Sequence, residues 1–397
     1  MIRTATLTFH ASHNYGSMLQ AYALQRVLKK NIDVENEIIN LRTPIQKSIY
    51  PNPMKIQCSL RGLVSFICRI PILGGLNRKF NMFEDFLRHE LVLSQEFHSR
   101  DEVANYVKNF DCLIAGSDQI WNTACGDFDW SYYLPFFENK RIAYAPSMGP
   151  HAREQVLPKK YDRIEACLRG FTAVSVREQG TSEVISEIAG KEPEVLVDPT
   201  LLVTKSEWEH LASSKNSVEG KYIFLYHPSP TNDICDLAVN ISKQTGISVI
   251  SSNKIPTMSM IKYTLFKPSS IKMSLSVGPK EFLRLIMDSE FVLSGSFHAI
   301  VFSILFHKPF LAYNGLTDNR MSQILYSTGL EDYAVTDTNY LCKLPLLNEI
   351  DFSQADDYIT RERKRSFDFL KKISPYDRTL QNEPLYRMWS MLQCLPT

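Results

Sequence analysis

Paired cysteines are missing from this chain. Its eight cysteines are scattered from Cys58 to Cys394 with no CxxC pair, which excludes a zinc knuckle and a disulfide framework and suits a reducing cytoplasm. No HxH or HExxH spacing is present either, so a site without metal or cofactor is expected. An excess of one charge is also lacking. With 44 basic and 43 acidic residues the net charge is +1, and no basic run interleaved with aromatics occurs, so nucleic acid is not a partner. The opening Met1-Ile2-Arg3-Thr4 leads straight into an alternating strand pattern, without the cationic and then apolar run of a signal peptide. A cytoplasmic protein is expected. Residues 60–76 are the nearest thing to a membrane segment, but Arg61, Arg69 and Pro71 interrupt them and they are too short to span. Arg78 and Lys79 follow, so this stretch either lies on the inner face of the membrane as a peripheral contact or packs against the first domain. Repeats and low-complexity tracts are absent.

At 397 residues the chain is longer than the roughly 250–300 at which one core stops growing, which predicts two domains. Short apolar runs alternate with helical spacing throughout. Strands are predicted over 5–9, 110–115, 142–145, 173–176, 195–197, 222–226, 247–250 and 310–313, with helices over 18–29, 233–245, 279–287 and 360–372. Parallel strands covered by helices on both faces follow. The polar stretch from about Thr204 to Lys221 marks a boundary. The division expected is 1–204 for an N-terminal Rossmann-like domain, 205–374 for a second one, and 375–397 for a C-terminal helix that returns to the first. The fold class is therefore α/β: two doubly wound Rossmann-like domains facing each other across a cleft, as in B-type glycosyltransferases.

The most informative stretch is FVLSGSFHAIVFSILFHKPFLAY, from Phe291 to Tyr313. Phe291 to Leu293 reads as a buried strand, Ser294-Gly295-Ser296 as a turn, and 299–306 as a helix ended by Pro309. His298 then sits at a helix N-terminus, where unpaired N–H groups attract anions and the dipole disfavours a charged imidazole. It is read either as a site residue or as a packed one. The small residues Ser294 and Ser296 around Gly295 let a ligand approach the backbone. Other strand ends break at Asn14-Tyr15-Gly16-Ser17, read as a tight turn whose N–H groups face the cleft, and at Gly116-Ser117-Asp118-Gln119. His10 and His13 flank the first of these turns and could contact a sugar.

These motifs together resemble the polysaccharide pyruvyl transferase family. They are Thr8-Phe9-His10 with Asn14 to Leu24, AGSDQIW from Ala115, SVRE from Ser175, VDPT from Val197 and SGSFHA from Ser294, in order over about three quarters of the chain. The resemblance implies transfer of the pyruvyl group of phosphoenolpyruvate onto two hydroxyls of a sugar in a polymeric or polyprenyl-linked glycan, forming a ketal and releasing phosphate. It further implies that Arg177 of SVRE recognises the donor. Arg320 stands near a place where some family members have lysine.

Phosphoenolpyruvate carries a carboxylate and a phosphate, which planar guanidinium groups bind well. Arg177 and Arg320 are accordingly the donor candidates, with Arg177 alternatively in an ion pair with Glu178. His298 is the acid/base candidate. Asp118 would orient or deprotonate the acceptor, or else cap the next turn. Asn14, Gly16, Ser117, Ser294 and Ser296 are expected to contact substrate, and Asp198 to hold a turn. The alternative reaction is nucleotide-sugar-dependent glycosyl transfer on the same architecture, for which Asp318 is the available ribose-gripping acid.

Overall fold

The computed structural model describes residues 2–55, 60–215, 218–252, 271–336 and 339–373. Two parallel sheets organise them. The first runs β3-β2-β1-β4-β5-β6-β7, from β1 (Arg3–Leu7), β2 (Glu35–Leu41), β3 (Leu93–Phe97), β4 (Cys112–Ala115), β5 (Lys140–Ala143), β6 (Ala173–Val176) and β7 (Glu194–Val195). The second runs β10-β9-β8-β11-β12-β13, from β8 (Tyr222–Tyr226), β9 (Ser248–Ser251), β10 (Ile271–Met273), β11 (Phe291–Ser294), β12 (Phe310–Tyr313) and β13 (Ala334–Val335). The central strands are buried on both faces because helices cover each side, so they read as continuous apolar runs such as YIFLY in β8. Strand order reverses between β1 and β4 and again between β8 and β11. Crevices open at the carboxyl ends of strands at such reversals.

Strands β6, β8 and β12 occupy the predicted residues, while β2, β3, β10 and β13 were not foreseen. Their sequences explain the omission: ENEIINL and LSQEF mix polar residues into strands near the sheet edge, and the other two are three and two residues long. The helix predicted over 360–372 begins earlier and spans Ser353–Leu370. It packs back on the first domain, where the Arg363 guanidinium donates to the carbonyls of Leu201 at 2.7 Å and Val203 at 2.9 Å. The C-terminal helix expected at 375–397 lies outside the described residues.

One correction concerns the first turn. Tyr15, Gly16 and Ser17 open the helix Tyr15–Val27, and Asn14 is its N-cap, with Oδ1 accepting from the N–H groups of Gly16 at 2.9 Å and Ser17 at 3.4 Å. Those donors therefore do not face the cleft. Asparagine there competes well for orphan amides, which moves the helix start upstream of the apolar repeat. Tyr15 pins the domains together: its ring stacks on Phe282 at 4.3 Å and its hydroxyl lies 3.1 Å from the carbonyls of both Ser252 and Val277.

The apolar segment had two placements open to it, on the membrane or packed against the first domain. It belongs to one helix, Leu60–Glu90, which continues through Pro71. Lys79 points inward, 5% exposed, with Nζ donating to the Ser252 carbonyl at 2.8 Å and lying over the Tyr15 ring. It cannot be one of four cations facing a bilayer. No helix among the described residues is long and apolar enough to cross a membrane.

Candidate functional site

Loops after β1, β4, β8 and β11 meet at the two sheet reversals and enclose a pocket of 220 Å³. His298 and Arg320 come to it from the second domain, Asn14, Asp118 and Asp127 from the first. The helix Phe297–Phe306 is apolar all round and wholly buried, wedged between the domains, and this fixes its N-terminal turn against the first domain. Gly16 makes the close approach feasible, since a Cβ at that position would overlap the His298 imidazole.

Behind His298 lies a buried charged chain. Its Nε2 is 3.4 Å from Oδ2 of Asp198, too far for a well-directed hydrogen bond and close enough for strong electrostatic coupling. The same oxygen accepts from Arg177 Nη1 at 2.9 Å and Ser117 Oγ at 3.3 Å, while Oδ1 accepts from the Thr200 amide and hydroxyl. Burial opposes ionisation of Asp198, but His298 and Arg177 overcome it and hold the carboxyl well below the usual carboxylate range. Asp198 thus holds the turn, as expected, and also sits beneath His298, which was not expected.

Arg177 is 3% exposed and does not line the pocket. It lies among the carboxylates of Asp198, Glu178 at 3.5 Å and Asp118 at 3.8 Å, with its guanidinium over the Phe297 ring. The ion-pair alternative is thus realised on several sides. Its Nη2 has no hydrogen-bond partner, and neither has Nε2 of His298. Buried donors left without acceptors are costly, so this corner is built for something other than packing.

The opposite wall carries two carboxylates. Asp118 sits at the end of β4 in the left-handed region, φ 76°, which aspartate tolerates better than most side chains. Ser17 Oγ donates to its Oδ2 at 2.6 Å and the Gln119 amide to its Oδ1 at 2.8 Å. Asp127 accepts from Ser12 Oγ at 3.0 Å and from the Tyr50 hydroxyl at 3.4 Å. Burial pushes its pKa up. Asp127 was missed in the sequence because it lies in an irregular stretch with no periodic signal. Cys125 also lines the pocket, but burial pushes its thiol up to about 12, which removes it as a nucleophile.

Arg320 faces the pocket, half committed to Asp318: Nε donates to Oδ1 at 3.0 Å and Nη2 to Oδ2 at 2.6 Å. Asp318 caps the helix Asn319–Thr328 as well, so little of it is left to grip a ribose. Among the small residues, Ser296 and Asn14 line the pocket. Ser294 and Ser117 do not. Ser294 is buried and bonds the Tyr226 carbonyl, and Ser117 bonds the Ala145 carbonyl and Asp198. His10 is buried against Asn40 and the Thr8 carbonyl and does not line the pocket. No group of three or more histidine, cysteine or acidic residues able to hold a metal ion exists among the described residues.

Comparison with known proteins bears on the family and on the fold. The profile of the polysaccharide pyruvyl transferase family matches residues 14–315. No curated protein matches the chain. Among solved structures, Anabaena HepE with UDP and glucose is 10% identical, with a TM-score of 0.53 over 100% of both chains. S. aureus MnaA with UDP is 9% identical, with a TM-score of 0.52 over 94% of this chain and 91% of that one. A putative UDP-N-acetylglucosamine 2-epimerase from Listeria monocytogenes is 11% identical, with a TM-score of 0.51 over 100% and 98%. At such identity these similarities show the fold, that of B-type glycosyltransferases, and nothing of the substrate.

Proposed function

The chain belongs to the polysaccharide pyruvyl transferase family, and from that premise we propose that it transfers the pyruvyl group of phosphoenolpyruvate to two hydroxyls of one sugar in a polyprenyl-linked glycan, working in the cytoplasm at the membrane's inner face. The observation that carries this reading is the polarity of the pocket: His298 and Arg320 on one wall, Asp118 and Asp127 on the other. Phosphoenolpyruvate presents two anionic groups to the first wall. Arg320 and the unpaired amides at the start of the Phe297–Phe306 helix meet them. A sugar diol presents two acidic hydrogens to the second.

Proton balance suits this division. The methylene carbon of the enol gains one proton and becomes the methyl of the ketal, the first hydroxyl oxygen bonds the adjacent carbon, and the second displaces phosphate. Two hydroxyl protons are released, of which one replaces that given to carbon and one leaves on phosphate. His298 is the group that gives or returns a proton on the donor side. Asp118 and Asp127 each draw one acceptor hydroxyl into line, and positioning of this kind is worth several kcal/mol of barrier. Asp198 and Arg177 act through His298 by fixing its ring from below.

Thermal shift tests the donor. Phosphoenolpyruvate at about 100 times its dissociation constant should stabilise the fold by roughly 2.7 kcal/mol, and UDP-sugars should not. Phosphate release that depends on a glycan acceptor completes the test. Stabilisation by a UDP-sugar alone would favour glycosyl transfer.

A further inference from the structure

We propose that a second pocket beside the reaction pocket is a subsite for an uncharged sugar unit, the neighbour of the unit that is modified. This rests on the pyruvyl-transfer reading of the first pocket. Tyr50 is the wall between the two, lining both. The first, at 220 Å³, falls below the roughly 300–1,000 Å³ typical of small-molecule sites and already has two substrates to admit, so a longer acceptor must extend out of it. The second offers 310 Å³ next door.

Its lining is that of a carbohydrate site. Tyr50 and Phe80 give aromatic faces for the C–H side of a sugar ring. Glu84 gives a fixed acceptor: its carboxylate is held by Arg42 Nη1 at 3.2 Å and Nη2 at 3.3 Å and lies 2.9 Å from His13 Nε2. Burial opposes its ionisation, but His13 and Arg42 together keep its pKa below the usual value. The amide of Gln46 is the sharper sign. Gln46 lines this pocket, is 4% exposed, and its Nε2 has no hydrogen-bond partner. A buried donor without an acceptor calls for a ligand oxygen, and a sugar hydroxyl supplies one. Of the lining cations, Arg42 is matched by Glu84 and Lys47 by Glu96, which leaves exposed Lys55 alone without a carboxylate among the described residues, so the pocket carries little net charge with which to hold an anion.

Gln46→Leu removes the amide at nearly constant size, and Phe80→Ala removes a stacking face. The probe is an array of bacterial oligosaccharides together with the monosaccharides that compose them. The wild type should retain at least one oligosaccharide about tenfold more tightly than its parts, and Gln46→Leu should erase most of that preference. Retention of no oligosaccharide, or an unchanged preference in both variants, overturns the subsite. Phosphate release from phosphoenolpyruvate is read in parallel. Oligosaccharides that bind and lose their preference in Gln46→Leu without phosphate release leave the subsite standing and sink pyruvyl transfer. Phosphate release without any preference for longer acceptors does the reverse.

Discussion

A methyl group on Gly16 would overlap the imidazole of His298, so the first helix of one domain and the acid/base candidate of the other are packed as a pair. The glycine sits inside a helix, where alanine normally stabilises by up to about 1 kcal/mol. Gly16→Ala should forgo that gain, because the ring must move. Displacement on the order of 1 Å costs up to ~10²-fold in rate. The expected result is a kcat lowered at least tenfold with phosphoenolpyruvate affinity nearly retained, checked by kinetics and calorimetry. A variant with wild-type kcat would separate His298 from the chemistry.

Asp198 gives the molecule an acid-sensitive lock. Its pKa is depressed in the folded chain and near 3.9 when unfolded, so the stabilisation is fully present above about pH 4 and is lost as pH falls below it. Asp198→Asn removes that dependence and leaves Arg177 short of its closest counter-charge, 2.9 Å away in the wild type. Breaking such a buried pair costs roughly 3–5 kcal/mol. Melting temperature followed from pH 7 to pH 2 should fall less steeply in the variant, from a lower start. Parallel curves would mean that Asp198 carries no depressed pKa.

Of the acceptor-side carboxylates, Asp127 should leave its mark on the pH profile. Burial raises the pKa of Asp127, so its base form is lost at a higher pH than for an ordinary carboxylate. On the acid side the transfer rate should therefore fall early, and Asp127→Asn should lower kcat by about 10²-fold while removing that limb. Asp118→Asn should lower kcat similarly and leave the limb in place. An acid limb unchanged in Asp127→Asn would take Asp127 out of the reaction.

What the sequence showed and what it hid divide along chain distance. The unit at 291–306 was legible because an apolar strand, small turn residues and an apolar helix follow one another without interruption. His298 was found there for the same reason. Its partners were not legible: Asp198 lies a hundred residues away and Gly16 in another domain, and neither contact leaves a local periodicity. Arg177 looked like a ligand-binding arginine at a strand end, yet the carboxylates around it come from the loop after β4, its own strand end and the VDPT turn. Asn14 and Gly16 were placed in a turn because the apolar repeat starts only at Met18, whereas helices begin at their caps.

The inward turn of Lys79 separates fold stability from membrane contact. Its Nζ is buried between the domains, bonded to the Ser252 carbonyl, so Lys79→Met removes a hydrogen bond from a charged donor, at a cost of about 1.5–3 kcal/mol, and leaves that carbonyl to the Tyr15 hydroxyl alone. Methionine matches the stem in length and fills its place beside Tyr15, so what is lost is the ammonium's own contacts, with the carbonyl and with the face of the Tyr15 ring. The expected outcome is a lower melting temperature with unchanged flotation on anionic liposomes. If the protein docks on such membranes, Arg61, Arg69 and Arg78 must account for it, since each cation near an anionic surface contributes roughly 1 kcal/mol. Replacing those three should abolish flotation at low salt without lowering the melting temperature as Lys79→Met does. Loss of flotation in Lys79→Met alone, at full thermal stability, would place this lysine at the surface and refute the inward geometry.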